Sequence, residues 1–256
     1  MDTTYLDSTI ESKRVIEVRT LDAEAPYRWL RRGWLDFRES LGPSLLLGMA
    51  FVLAGYALVA ASWNIPLLSI TFVTGFLLVA PALALGFYEM SRRIDHGEQP
   101  GFDTLSYSWK QHGWPVLMFG LLLGVAMVAW GRLTGLMMAL TLPAFGPFGD
   151  LYSWQTLTQP GFIALYLLTG FVLAALVFSL SAVSIPMLVE RKVDVLTAAA
   201  TSWKAVTRNP GVMARWAFII ALLTIVGMAT AFIGLLVTMP LLGHASWHAY
   251  KESVKD

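Results

Sequence analysis

Long apolar runs constrain this chain more than any other feature of its sequence. They cover residues 42–62, 65–89 and 161–189, and two further runs extend from 115 to 130 and from 211 to 243. A helix needs about 20 apolar residues to cross a hydrocarbon core of roughly 30 Å. Only 14% of the residues are charged, about half the share usual in soluble domains. The chain is therefore predicted to be an all-α, polytopic membrane helix bundle.

The last apolar run decides the number of spans, because its 33 residues are too many for one upright helix and few for two. With six spans, Arg132 is the only one of the 18 lysines and arginines on the side opposite the N-terminus. With five, Lys251 and Lys255 would join it, so six spans obey the positive-inside rule better. The predicted spans are 42–62, 65–89, 114–132, 161–189, 212–229 and 231–250.

An internal repeat supports the same topology. Trp34, Trp109 and Trp203 each precede a proline, by nine, six and seven residues, and each proline opens an apolar run. The repeat predicts three helical hairpins, each preceded by an amphipathic interfacial helix. Residues 1–25 are predicted to be a polar, flexible cytoplasmic N-terminus and residues 26–256 a single membrane domain. No cleavable signal peptide is predicted, because the first apolar run begins near Gly42.

The clearest interfacial helix lies in the stretch Tyr27–Leu41. Leu30, Trp34, Phe37 and Leu41 follow helical spacing and form one apolar stripe. Such a helix lies in the plane of the interface, with tryptophan at headgroup depth and arginines toward anionic lipid. Trp34, Trp109 and Trp203 are therefore predicted interfacial anchors. The favoured interpretation is that these helices cap the bundle and fix the entry angle of the next span, and the alternative is a membrane-facing sensor or a partner-docking surface.

Two histidines at the C-terminus share one helix face. His244 and His248 are four residues apart, a spacing that can hold a metal or offer ligands to a haem. No third histidine and no acidic residue completes a local metal motif. The pair is therefore a weak metal candidate, and interfacial polar side chains are the favoured interpretation.

Four charged residues near the predicted span ends are candidate ligand or lipid contacts. Arg132 could bind an anionic headgroup or pair with Asp150, the only acidic residue predicted on the outer side. Arg215 and Glu89 lie about one turn inside the opposite boundary, where they could form a structural pair. No predicted span has a lysine, histidine or carboxylate near its middle, which argues against an ion-coupled transporter.

Catalytic motifs are missing from the sequence. The chain has no cysteine, no phosphate-binding glycine loop, no HExxH and no GxSxG. No enzyme and no cofactor is predicted, and the net charge of +1 argues against a nucleic-acid partner.

Five segments of the sequence carry a resemblance to a known family: 34–37, 80–83, 86–89, 142–150 and 244–250. Together they resemble the bacterial integral membrane family named for domain of unknown function 2189. The resemblance extends from about residue 25 to the C-terminus and implies a multi-span inner-membrane protein with no assigned activity. Some members of that family carry the label of a cytochrome c oxidase subunit, but four peripheral histidines cannot hold the haem and copper of a catalytic subunit.

Three functions follow as alternatives. The leading one is a non-enzymatic accessory, assembly or scaffold protein of the bacterial inner membrane, with both termini in the cytoplasm. Its partners would be anionic lipid headgroups at the inner face and another membrane protein or complex. The second is a transporter or lipid-handling protein with a cavity between the hairpins, lined by small residues such as Gly75, Gly86, Gly170 and Ser181. The third is a haem-binding or oxidase-associated protein using His244 and His248.

Overall fold

The computed structural model describes residues 16–61, 63–64, 71–73, 76, 84–141 and 159–255. Over these residues the regular structure is helical, with no β-strand, and an isolated antiparallel bridge joins Val18 to Val254. The helices in chain order are α1 (Ala25–Glu39), α2 (Leu41–Ala61), α3 (Leu85–Asp95), α4 (Asp103–Thr141), α5 (Pro160–Ser181), α6 (Ser184–Glu190), α7 (Val195–Arg208), α8 (Pro210–Ala229) and α9 (Leu235–Ser253).

Four stretches of described helix are long and apolar enough to cross a membrane. They are Leu41–Ala61, Asp103–Leu140, Pro160–Glu190 and Pro210–Ala229. The predicted span 65–89 falls largely outside the described residues, and the predicted span 231–250 corresponds to α9, which is not among the four. The described part of the chain is thus all-helical, with four candidate membrane spans, and the six-span, three-hairpin topology stays a prediction.

The helix bounds differ from two of the predicted spans, although the candidate membrane span Pro160–Glu190 includes the predicted span 161–189. The interfacial segment 103–111 and the span 114–132 form one continuous helix, α4, which passes through Pro115 and ends at Thr141. A proline removes one backbone hydrogen bond, and a membrane helix can continue past it. Conversely, the predicted span 161–189 is divided at residues 182–183 into α5 and α6. The break places Pro186 in the first turn of α6, where its missing N–H has no intrahelical partner to lose.

A tight turn positions α9 against α8. Residues 230–234 connect the two helices, and Ala231 and Phe232 adopt positive φ values of 52° and 66°. A side chain at Gly234 would lie 2.9 Å from the Cα of Gly227, so the turn needs glycine where the two helices meet.

One end of the bundle holds the densest packing. We call the collar layer the set formed by α1, α3, α6, α7 and residues 240–253 of α9. Trp29, Met90, Ile185 and Tyr250 are fully buried there within a single apolar cluster that includes the adjoining ends of the long helices. By contrast, the most apolar window of Pro160–Glu190 is only 6% buried inside the protein. The long helices therefore leave apolar faces uncovered, while their ends are fixed in the collar layer.

Candidate functional site: a buried histidine–aspartate–serine cluster

Helix α1 buries only part of the stripe that its hydrophobic pattern indicates: Phe37 is buried and Leu30 is half-buried. Its buried face carries Trp29, Gly33 and Asp36, together with Phe37, and packs mainly on α9. Trp34 and Leu41, which belong to the predicted stripe, are 43% and 48% exposed. The helix thus has two functional faces: one packs inward around a glycine and a carboxylate, and the other remains available to the interface.

The inward face of α1 places Asp36 against both C-terminal histidines. The Nε2 atom of His248 lies 2.8 Å from Asp36 Oδ2, and the Ser91 hydroxyl on α3 donates to the same oxygen at 2.6 Å. Ser91 Oγ also lies 2.8 Å from His244 Nδ1. These contacts join α1, α3 and α9 around a single carboxylate oxygen.

The other nitrogen of His244 faces the start of α2. Its Nε2 atom lies 2.9 Å from Ser44 Oγ and 3.3 Å from Ser40 Oγ, and Ser40 donates to the Asp36 carbonyl at 2.7 Å. His244, Ser40, Ser44 and Ser91 are at most 1% exposed, and Asp36 and His248 are each 6% exposed. We call Asp36, Ser40, Ser44, Ser91, His244 and His248 the collar cluster.

The hydrogen bonds of the collar cluster are consistent with a neutral His244. In this arrangement Ser44 donates to Nε2, Nδ1–H donates to Ser91, and Ser91 and His248 both donate to Asp36. A buried carboxylate is costly unless it is paired and hydrogen-bonded, and these donors satisfy that requirement. Burial in the collar cluster therefore replaces the interfacial location predicted for His244 and His248.

The same contacts limit the chemistry that the histidines can perform. Both ring nitrogens of His244 and the Nε2 atom of His248 already have partners, so a haem iron or a metal would have to displace them. Within the described part of the chain, no three histidine, cysteine or acidic side chains are grouped as a metal site requires. Ser91, Asp36 and His244 include the residue types of a hydrolase triad, but Ser91 separates the other two and has no exposed surface.

Glu89 belongs to a second, adjacent group of charges. Its fully buried carboxylate accepts two hydrogen bonds from Arg92, at 2.7 and 2.8 Å, and one from Arg93 at 3.4 Å. Pairing with Glu89 raises the pKa of the Arg92 guanidinium. The predicted pair between Glu89 and Arg215 is therefore wrong: Arg215 donates to the Ala23 carbonyl at 2.8 Å instead.

The remaining predicted residues do not join the collar cluster. Arg132 is exposed on α4, and its proposed partner Asp150 lies outside the described residues. Trp109 and Trp203 are 51% and 46% exposed, and Trp34 is similarly exposed. The role of these three tryptophans as interfacial anchors stays a prediction.

Sequence reasoning missed Asp36 and the three serines. One signal was present: Asp36, Ser40 and Ser44 repeat every four residues, the same spacing that separates His244 and His248. Two polar stripes of equal spacing can pair along two helices. Nothing in the local sequence marks Ser91, because it enters the cluster only through the packing of α3.

Comparison with known proteins finds a match to one family model, and that model carries no assigned function. A family model described as predicted integral membrane protein, domain of unknown function 2189, matches residues 67–190, just under half of the chain. No curated protein and no solved structure matches. The matched segment includes Ser91, Glu89 and all of α3 and α4. Residues 67–190 are thus similar to the family of predicted integral membrane proteins named for domain of unknown function 2189.

Proposed function

We propose that the protein is a non-enzymatic accessory, assembly or scaffold protein for other components of the bacterial inner membrane. The observation that carries the proposal is the closed collar cluster. Its acid, histidines and serines hydrogen-bond to one another and connect four helices, α1, α2, α3 and α9, so they stabilise the contacts between these helices. A rigid collar layer of this kind suits a protein whose role is to hold a surface in place.

The space between the described helices supports the same proposal over a transporter. The apolar recess beside Phe51, Gly55 and Phe232 has a volume of about 10 Å³, enough for about one water molecule. Of the small residues expected to line a substrate cavity, Gly86 contacts the side chains of Leu47 and Leu105, and Gly170 contacts Trp130. Gly75 lies outside the described residues.

The orientation of the protein belongs to the proposal as well. The lysines and arginines concentrate near the collar layer, and the positive-inside rule places such a face in the cytoplasm. The first and last described segments of the chain meet there, because Val18 bridges to Val254. The collar layer would then be the cytoplasmic surface offered to other membrane components.

Co-purification tests the proposal. The tagged full-length protein, expressed at native level and extracted in mild detergent, is expected to recover a membrane protein in stoichiometric amount. Recovery of none would contradict the scaffold role.

A variant at the collar cluster separates scaffolding from chemistry. Ser91→Ala removes the hydroxyl that a reaction with Ser91 as nucleophile would need, and the variant is expected to recover the same partner after folding is verified by its thermal transition. Ser106→Ala, at an exposed serine of α4 that donates to the Asp103 carbonyl, is the matched control. If Ser91→Ala alone abolished a cellular phenotype while partner recovery and stability stayed normal, the cluster would be a reaction site.

A further inference from the structure

The first and last described segments of the chain, together with α7, form an open polar groove of about 660 Å³. It is separate from the residues on which the proposed function rests. The groove contains four basic side chains and one acidic side chain. Its lining residues are Glu17, Val18, Arg19, Thr20, Lys204, Arg208 and Lys255.

Backbone contacts hold the walls of this groove together. Arg19 N–H donates to the Ser253 carbonyl at 2.8 Å, and Lys255 N–H donates to the Glu17 carbonyl at 3.0 Å. On the α7 side, the Asn209 amide donates to the Arg19 carbonyl at 3.0 Å and accepts from Leu21 N–H at 2.8 Å. The basic side chains therefore project from a fixed frame.

The charges of the groove are only partly neutralised. Lys255 pairs with Glu17, and Arg208 donates to the Thr20 hydroxyl at 3.3 Å. Among the described residues, Lys204 and Arg19 make no side-chain hydrogen bond. Lys255 lowers the pKa of Glu17, first by its hydrogen bond and then by its charge, and the charges of Lys204 and Arg208 lower it further. Cations from both walls thus act on the same space.

The location of the groove indicates which anion it would meet. Lys204 and Arg208 are one turn apart on α7, and both lie to one side of the stripe that carries Leu196 and Trp203. Leu196 is 77% exposed and Trp203 is 46% exposed. A helix with such a stripe lies at the lipid interface, with its basic residues at the depth of the phosphates. Arginine also matches phosphate geometry with its fork of N–H donors.

From this juxtaposition we propose that the groove binds the phosphate headgroup of an anionic phospholipid. Arg208 and Arg19 would bind the phosphate oxygens, and Lys204 would add a mobile positive charge. The headgroup would connect the segment 17–20 and Lys255 to the membrane beside α7. A volume of about 660 Å³ lies in the range of small-molecule sites.

The test measures lipid binding by the full-length protein in detergent, using native mass spectrometry. Phosphatidylglycerol is expected to bind at least about tenfold more tightly than phosphatidylcholine. Lys204→Gln with Arg208→Gln is expected to weaken phosphatidylglycerol binding about tenfold. Each of the two basic residues attracts the anionic lipid, and the two are expected to contribute similar shares of this loss. Lys204→Gln alone should show a smaller loss, and it removes no hydrogen bond from the described structure.

The matched control removes the same charge elsewhere on the collar layer. Arg31→Gln with Arg38→Gln changes two exposed arginines of α1, outside the groove, and should retain most of the binding. Equal losses in the two double variants would overturn the site, because binding would then follow total charge. Equal affinity for phosphatidylcholine would also overturn it.

A second arm distinguishes a lipid from free phosphate. Inorganic phosphate alone, titrated calorimetrically into the detergent-solubilised protein, is expected to bind far more weakly than phosphatidylglycerol. Comparable affinity for phosphate, lost in the Lys204→Gln, Arg208→Gln variant, would overturn the lipid assignment. Neither arm depends on whether a protein partner is recovered in the scaffold experiment.

Discussion

Replacing Asp36 by alanine removes the carboxylate oxygen that accepts hydrogen bonds from two members of the collar cluster. Both Ser91 Oγ, at 2.6 Å, and His248 Nε2, at 2.8 Å, bond to Asp36 Oδ2. The Nε2–H of His248, which is 6% exposed, would remain buried without that acceptor, and Ser91, which has no exposed surface, would keep only its contact with His244. Each orphaned buried donor costs about 1–3 kcal/mol, and breaking a buried pair costs about 3–5 kcal/mol. We expect Asp36→Ala to lower the free energy of unfolding by about 3–5 kcal/mol.

Asp36→Asn separates the charge from the hydrogen bonds. Because both bonds go to the same oxygen, an asparagine side chain can accept both and loses only the charge. Neutral hydrogen bonds are weaker than charge-assisted ones by about 1 kcal/mol each, so the expected loss is about 2 kcal/mol. Asp22→Asn is the control. It changes an exposed aspartate paired with Arg28, and no measurable effect is expected.

The assay is equilibrium unfolding in mixed micelles of increasing sodium dodecyl sulfate content, followed by tryptophan fluorescence. Trp29 and Trp247 report on the collar layer directly, because both are fully buried in it. A double-mutant cycle with His248→Ala should give a coupling energy of about 1–3 kcal/mol. A loss below about 1 kcal/mol for Asp36→Ala, or strict additivity with His248→Ala, would refute the structural role of the cluster.

Two further predictions concern helix contacts. Gly33→Ala would place a methyl group 2.6 Å from the Ala245 backbone nitrogen and force α1 away from α9, so we expect a loss of about 2 kcal/mol in the same assay. Gly124→Ala is the control, because its added methyl group meets nothing within 4 Å. If Gly33→Ala lost no more stability than this control, the close approach of α1 and α9 would be contradicted. Asp194→Ala removes the N-cap of α7 and should cost about 1 kcal/mol. The hydrogen bond from the Thr197 side chain, and then that from its backbone, lowers the pKa of Asp194 below its ordinary value of 3.8. The stabilisation is therefore present above that value and is lost as pH falls through the lower folded value. A difference between Asp194→Ala and wild type that persisted unchanged at the lowest pH would contradict this assignment.

The residue types of the chain were sufficient to predict its class. Apolar runs of about 20 residues can satisfy their backbone groups in a membrane only as helices, and this is a local property that needs no tertiary information. The four candidate spans and the family match at residues 67–190 agree with that prediction. Helix boundaries were harder to predict from the sequence, because Pro115 lies within one helix whereas Pro186 lies in the first turn of another. A proline permits both outcomes, and the surrounding packing selects between them.

Only the tertiary structure decided which polar residues matter. From the sequence, Asp36 is interpreted as a residue of a solvated face, and His244 and His248 are interpreted as interfacial. In the structure α9 packs on α1 at Gly33, and this packing buries all three side chains. The groove at Lys204 likewise exists because the segments around Val18 and Val254, distant in sequence, meet beside α7. Hydrophobic periodicity reports the direction of a side chain from its own helix axis. It carries no information about which neighbouring helix will cover that side, and that contact determines burial, pairing and function.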